Sequence, residues 1–224
     1  MSERFSFINE EFYTFRAAPE QMDALWGEGW RHFGAHFFRY NPGFYENEIR
    51  RVIPLRVRLA DFKFSKSQRR VFNKNTDLQV VIRPVEINAE KENLFERHKR
   101  RFKSGVPDSI YDFLSEVEPA VIPCPALEVS VFEPERRRRL LAASFFDVGK
   151  DSISSVYAMF EPSEERRSLG ILTMLLEIRY ALECGKKFYY SGYAYEGNSY
   201  YDYKKRFSAL EGYDWQSGWK NFAE

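Results

Sequence analysis

Apolar and polar residues alternate along several segments in the second half of the chain, and each of these segments predicts a strand. Leu127, Val129 and Val131 alternate with polar residues, and residues 140–148 form a more continuous apolar run. A charged turn over residues 133–139 is expected to join the two. Residues 153–160 form a third run, which Pro162 ends. Three strands with short connections predict an antiparallel meander.

A stripe of leucines with helical spacing follows the meander. Ser168 is placed to cap this helix at its N-terminus and Gly185 to end it. Residues 187–193 are rich in β-forming side chains and predict another strand. Strand, helix and strand in this order predict a βαβ crossover, so the fold class is α/β (α+β) with a mixed sheet. The stripe consists of Leu172, Leu175, Leu176 and Leu182.

The first half of the chain carries weaker patterns. Residues 22–34 begin with helical character that Gly27 breaks, and residues 54–64 predict a strand with Leu55, Val57 and Leu59 on one face. Residues 88–103 predict a helix with a basic surface, and residues 109–117 predict a shorter helix. The proline-rich residues 118–125 cannot continue a helix and therefore separate the two halves.

Composition excludes several classes of protein. Of the 224 residues, 44% are hydrophobic, which is enough to bury a core in one large domain or two small lobes. The two cysteines have no CxxC spacing and predict neither a disulfide framework nor a cysteine metal site, which suits a cytoplasmic protein. No apolar run approaches the roughly 20 residues that span a bilayer, and no signal peptide is visible, so no membrane partner is expected.

The basic residues are grouped along the chain, although the net charge is only +1. Any one group could be an ordinary solvated face, and residues 136–139 have the character of a charged turn. Several groups together could line one surface that binds phosphates. The groups lie within residues 63–74, 97–103, 136–139 and 204–206.

Three segments could bind a nucleotide end. The start of the leucine-rich helix offers free backbone N–H groups beside Arg166, Arg167, Ser168 and Gly170, which favours an anion; ordinary capping by Ser168 explains it equally well. Residues 63–75 combine basic and amide side chains with two phenylalanines that could stack on bases but are better explained as core. Residues 189–203 hold seven tyrosines, about half of which are expected to be structural.

Candidates for proton transfer are few. Asp147 and Glu161 lie at strand ends, where either could also be an ordinary loop acid, and the tyrosines are the other candidates. The three histidines have no HExxH or CxxC neighbours, and no GxSxG or GxxxxGK[ST] motif is present. The sequence therefore predicts no metal site and no catalytic triad.

Four ordered stretches resemble the arginyl- and leucyl-tRNA–protein transferase family. Residues 54–75 are similar to an LRV strand followed by F-x-x-S-x-S-x-R-R-x-x-x-x-N, and residues 144–178 to D-V-x-x-x-x-x-S-x-V-Y-x-F-x-x-P and then S-L-G-x-x-x-x-L-x-x-I. Residues 192–207 resemble the family's G-Y and Y-K-x-x-F tail, and residues 28–42 its G-W-R-R-F-G start. The resemblance covers nearly the whole chain after about residue 25.

The resemblance implies an N-acetyltransferase-like (GNAT-like) mixed sheet with a smaller N-terminal lobe, divided into residues 1–84 and a catalytic domain of residues 85–224. It implies transfer of arginine or leucine from aminoacyl-tRNA, the co-substrate, to the N-terminal α-amine of an acceptor protein or peptide in the N-degron (N-end rule) pathway of protein degradation. No other cofactor is implied. A cytoplasmic monomer is expected.

The resemblance also assigns roles to residues. Asp147, Tyr157 and Glu161 are expected to line the reaction cleft, because the acceptor amine must lose a proton as it attacks the ester. Lys66, Arg69, Arg70 and Asn75 are expected to bind tRNA. The 3′ end of the tRNA is expected at Arg166, Arg167, Ser168, Gly170, Tyr193, Tyr203 and Lys204.

The chain departs from the family pattern in two places. The cysteines that normally precede the LRV strand are absent from residues 41–53, and the tail has Tyr200 and Tyr201 where the family has Lys and Met. Two alternatives therefore stay open. One is an acyl-CoA-dependent N-acetyltransferase that binds the pyrophosphate at the start of the leucine-rich helix, and the other is a non-catalytic RNA-binding paralogue.

Overall fold

The computed structural model describes residues 7–134 and 139–222. The described first half contains β1 (Asn9–Tyr13), α1 (Pro19–Gly27), β2 (Arg31–Phe33), β3 (His36–Tyr40), β4 (Pro42–Tyr45), β5 (Glu48–Arg58), α2 (Lys66–Lys74), β6 (Gln79–Pro84) and α3 (Ala89–Lys99). The second half contains β7 (Ala126–Phe132), β8 (Leu140–Val148), β9 (Ser152–Phe160), α4 (Leu169–Glu183), β10 (Phe188–Tyr195), β11 (Leu210–Asp214) and β12 (Gly218–Asn221).

Most of the strands join one large sheet. Its order is β12-β11-β5-β10-β9-β8-β7-β6, and β4 pairs with β5, while β1, β3 and β2 form a separate small sheet. The predicted meander is present because β7, β8 and β9 pair antiparallel. The chain then crosses through α4 to β10, which pairs parallel to β9. The prediction of a mixed, N-acetyltransferase-like sheet is confirmed.

Two helices cover the two faces of this sheet. α4 packs on a core cluster that includes Leu141 and Leu175, and α3 packs on a second cluster that includes Leu94 and Leu140. Leu140 and Leu141 are successive residues of one strand, so their side chains point to opposite faces. A third cluster, around Trp26 of α1 and Phe37 of β3, joins the N-terminal elements to the sheet.

The predicted elements of the second half agree with the structure more closely than those of the first half. The strand over residues 140–148 is confirmed, and α4 ends at Glu183, followed by Gly185 with a φ of +65°. The strand predicted over 54–64 runs instead from Glu48 to Arg58. The helix predicted over 109–117 is wrong, because only a 3₁₀ turn from Ile110 to Asp112 forms there. In the predicted turn, residues 135–138 lie outside the described residues.

The N-terminal 84 residues contribute strands to the large sheet. β5 lies between β10 and β11, and β6 forms one edge beside β7. The division of the chain at residue 84 stays a prediction.

Candidate active site

The sheet opens between β9 and β10. These strands pair only where Ser152–Ser154 face Phe188–Tyr190, although both strands continue. Each strand carries an extra residue just beyond that point, because the register shifts around Val156 in β9 and around Ser191 in β10. A β-bulge bends its strand and leaves the extra residue outside the ladder. The two bulges therefore form a split, called here the β9–β10 split, whose edges carry unpaired backbone groups.

Arg31 of β2 enters this split from the N-terminal elements. Its guanidinium donates hydrogen bonds to the Ser154 hydroxyl and to the backbone oxygen of Ser155. Only 9% of the residue is exposed, and burial lowers its pKa. Among the described residues no carboxylate lies within 4.0 Å of the guanidinium. A buried cation without an acidic partner is costly, which makes the position a candidate for a functional role.

Lys204 brings a second cation to the same place. It lies in the 3₁₀ turn from Tyr200 to Arg206, and its Nζ donates to the backbone oxygen of Tyr193 at 3.2 Å. Gly192 has a φ of +95°, and a Cβ there would lie 3.1 Å from Nζ, so glycine leaves room for the lysine. Burial, together with the smaller effect of the Arg31 charge, lowers the pKa of Lys204 to about 7.

Glu177 faces the split from α4. Its side chain is fully buried and its Oε2 accepts a hydrogen bond from the Tyr189 hydroxyl at 2.8 Å. Burial raises the pKa of Glu177 to about 7. The hydroxyls of Ser191 and Tyr157 are buried without a hydrogen-bond partner in the described part of the chain. The split thus contains a lysine and a glutamate that both titrate near neutral pH, which suits proton transfer.

The predicted catalytic residues are not brought together. Asp147 is opposite Ser154 in the β8–β9 ladder and lies 2.7 Å from Nε2 of His32. Glu161 follows the other end of β9, where its backbone N–H donates to Leu141. Leu141 and Asp147 are six residues apart on β8, which corresponds to roughly 20 Å. Asp147 and Glu161 therefore cannot act on the same atom.

Glu161 and Tyr157 both have structural contacts. Burial opposes ionisation of Glu161, but the guanidinium of Arg97 at 2.9 Å prevails, and the pKa of this carboxyl is lowered. Tyr157 stacks on Phe113 with the ring centroids 3.9 Å apart, and burial raises its pKa. A tyrosine with a raised pKa is a donor rather than an acceptor of protons at neutral pH.

Two of the predicted tRNA-binding segments are neighbours. The side chain of Asn75 at the end of α2 donates to the backbone oxygen of Arg167 at 2.9 Å, and Lys74 donates to that of Arg166 at 2.6 Å. The C-terminus of α2 therefore lies against the segment that leads into α4. Their exposed cations form one surface, called here the α2–α4 basic surface, which contains Lys66, Arg69, Arg70, Lys74 and Arg166.

Other predicted tRNA-binding residues have local structural roles. Arg167 forms two hydrogen bonds with Asp77, at 3.0 and 2.9 Å, and Ser168 has a φ of +56° without capping the helix through its side chain. Gly170 lies under Phe160, whose ring would be 2.9 Å from a Cβ. Tyr193, Tyr203 and Lys204 belong to the split, where the Tyr193 hydroxyl donates to Gly29 at 2.7 Å and Tyr203 is near Glu177.

Arg31 and Glu177 are not among the site residues predicted from the sequence. A signal existed for each. Arg31 lies within the stretch that resembles the G-W-R-R-F-G start of the family, and Glu177 is a single acid on the apolar side of α4. Both features are visible in the sequence, but only the fold shows that they meet.

Comparisons with known proteins show the family of the chain. Residues 90–214 match the family model described as Arginine-tRNA-protein transferase, C terminus. An aspartate/glutamate leucyltransferase of Nitrosococcus oceani is 34% identical over 164 residues, covering 71% of this chain and 67% of the relative. One of Sinorhizobium medicae is 31% identical over 215 residues, covering 92% and 81%.

Two solved structures match the chain at lower identity. FemX superposes with a TM-score of 0.48 at 10% identity, and the match covers 87% of this chain and 65% of FemX. A GCN5-related N-acetyltransferase from Kribbella flavida has a TM-score of 0.36 at 13% identity and covers 62% and 47%. No helix among the described residues is both long and apolar enough to cross a membrane.

Proposed function

The chain belongs to the arginine-tRNA-protein transferase family and is an aminoacyltransferase, and from this premise we propose that it transfers leucine from leucyl-tRNA to proteins that begin with aspartate or glutamate. The names of its relatives support leucine as the donor and an acidic acceptor. We expect the product to enter the N-degron pathway as predicted from the sequence.

One observation carries this proposal beyond the family. Arg31 places a buried cation in the β9–β10 split, and no carboxylate of the described residues pairs with it within 4.0 Å. The acidic side chain of an acceptor would supply that partner. The same cation disfavours the positively charged side chain of an arginyl donor near the split, whereas an apolar leucyl side chain carries no charge to repel.

The split also fits the reaction. The amine nitrogen of the acceptor attacks the leucyl carbonyl carbon, an amide bond forms, and the ester bond to the tRNA ribose breaks. Lys204 is neutral in about half of the molecules near its pKa of about 7, so it can accept the proton that the amine loses and return it to the ribose oxygen that leaves. Arg31 would hold the acceptor carboxylate. Backbone N–H groups at the bulges, around Val156 and Ser191, would stabilise the oxyanion.

The body of the tRNA would bind outside the split. The α2–α4 basic surface lies where α4 begins, and Glu177 at the split is eight residues further along the same helix. Eight residues of α-helix span about 12 Å. A short single-stranded 3′ end could therefore reach from the basic surface to the split. Lys66, Arg69 and Arg70 would contact phosphates, and Tyr203 would contact the terminal nucleotide.

The decisive experiment uses leucyl-tRNA and arginyl-tRNA, each incubated with the purified protein and with peptides that differ only in the first residue. Mass spectrometry of the peptides should show leucine added to those that begin with Asp or Glu. Peptides that begin with Asn or Gln are matched controls, because they have nearly the same shape without the charge, and they should stay unmodified. Arginine transfer, or equal modification of the Asn and Asp peptides, would contradict the proposal.

A further inference from the structure

A group of three metal-ligand side chains lies behind the split. His32 comes from β2, Cys124 from the proline-rich segment before β7, and Asp147 from the end of β8. One ligand atom of each residue lies within 4.8 Å of the other two, and all three residues are buried. The proposed mechanism uses neither the imidazole of His32 nor the thiol of Cys124. The role predicted for Asp147 from the sequence involves neither group.

The hydrogen bonds of His32 define what its second nitrogen can do. Nδ1 lies 3.0 Å from the backbone oxygen of Gly34, which can only accept, so Nδ1 carries the proton. In a neutral imidazole, Nε2 is then an acceptor, yet it faces Oδ2 of Asp147 at 2.7 Å. Two acceptors at this distance need a proton or a metal ion between them. A metal-bound histidine has this arrangement, with its other N–H donated to a carbonyl.

The charges and the surroundings favour a divalent cation of the zinc type. A cysteine thiolate and an aspartate carboxylate together carry two negative charges, which one Zn²⁺ neutralises, so the filled site adds no net charge beside Arg31. Nitrogen, sulfur and oxygen ligands from histidine, cysteine and aspartate are those that zinc binds. Phe37 stacks on the His32 ring, and Met22 and Trp26 belong to the same core cluster, so the site has an apolar surround.

We propose that His32, Cys124 and Asp147 bind one Zn²⁺ ion. Three protein ligands leave one coordination position, which a water molecule or the second oxygen of Asp147 can fill. The ion would join β2 to the segment before β7 and to the end of β8. Because Arg31 precedes His32 in β2, the zinc would also fix the strand that carries Arg31 into the split.

The test begins with the metal content of the full chain, purified without a histidine tag from zinc-supplemented medium. We expect about one zinc per chain by elemental analysis. Cys124→Ser should lose most of it, whereas Cys184→Ser, which alters the exposed cysteine, should keep it. Zinc retained by Cys124→Ser would overturn the proposal, because the ion would then be bound elsewhere.

A second measurement uses the unaltered chain, so that a variant that fails to fold does not decide the result. After treatment with a chelator, free zinc at about 100 times its Kd should raise the melting temperature by roughly 5 to 10 °C. Replacement of zinc by Co²⁺ should give the absorption of a thiolate-to-cobalt transition. No zinc in the purified chain, together with no shift in melting temperature, would overturn the proposal and leave a direct hydrogen bond between His32 and Asp147.

Discussion

Two groups of basic side chains in this molecule differ in their exposure. The α2–α4 basic surface presents Lys66, Arg69 and Arg70 to solvent, where each charge costs little and can bind phosphates over a broad area. The β9–β10 split instead encloses Arg31 and Lys204, and burial lowers the pKa of both. Exposed cations can be gained or lost with little effect on folding. Buried ones reduce stability and are therefore the stronger indication of a site.

Removing the buried lysine should have the largest effect on activity. Lys204→Met removes the proposed proton acceptor, and we expect kcat for leucyl transfer to fall by about 100- to 1000-fold, with little change in affinity for tRNA. In the unaltered enzyme, kcat should rise with pH through an apparent pKa near 7, since neutral Lys204 is the active form. Rapid-quench measurements of peptide modification between pH 5.5 and about 9 would give kcat and its apparent pKa.

Lys205→Met is the matched control for this change. Lys205 lies in the same turn, but it pairs with Asp202 at 2.7 Å and donates to the backbone oxygen of Gly197 at 2.6 Å. It should keep near-normal kcat and the same pH profile. If Lys204→Met and Lys205→Met had equal activity, Lys204 would not be the proton acceptor, and the split would not be the site of transfer.

Changing the exposed surface should produce a smaller effect of a different kind. Arg69→Ala with Arg70→Ala should weaken tRNA binding roughly tenfold and reduce its salt slope by about 1.5 to 2, because two phosphate contacts are lost. At saturating tRNA, kcat should be almost unchanged. Filter binding at several salt concentrations measures both values, and Arg16→Ala with Lys220→Ala controls for net charge. An unaltered salt slope would show that Arg69 and Arg70 of α2 do not contact tRNA phosphates.

The same two regions show how far the sequence could predict the site. The basic residues of α2 are close in sequence, so the pattern indicated them, although it did not reveal that they form a helix. The residues of the split come from β2, α4 and the turn before β11, and they meet only because the sheet places β10 between β9 and β5. Periodicity reports local structure, and it carries no information on contacts between residues 31, 177 and 204.

Similar limits apply to the other predictions. Glu128 alternates with apolar residues as if it faced solvent, yet it is fully buried and pairs with Lys91 at 2.8 Å, because helix α3 covers that face of β7 and β8. No metal site was predicted from spacing, since His32, Cys124 and Asp147 are too far apart in sequence to form a motif. The second half was predicted better because its strands and α4 follow one another as neighbours.

Glu177 should affect stability rather than transfer. Its folded pKa of about 7 lies above the ordinary value of 4.5, so the fold favours the protonated form. The contribution of protonated Glu177 to the free energy of unfolding is fully present below pH 4.5 and is lost as the pH rises to about 7. Glu177→Gln keeps the shape and an acceptor for the Tyr189 hydroxyl without ionising. Its free energy of unfolding should therefore exceed that of the unaltered chain by roughly 3 kcal/mol at pH 8 and by almost nothing at pH 4.

Urea unfolding at several pH values would measure this difference. Glu183→Gln, an exposed position at the end of the same helix, is the control and should show almost no dependence on pH. A constant difference between Glu177→Gln and the unaltered chain at all pH values would mean that Glu177 is ionised in the fold. In that case its negative charge would offset the cations of the split, and the split would be less in need of an acidic substrate than we propose.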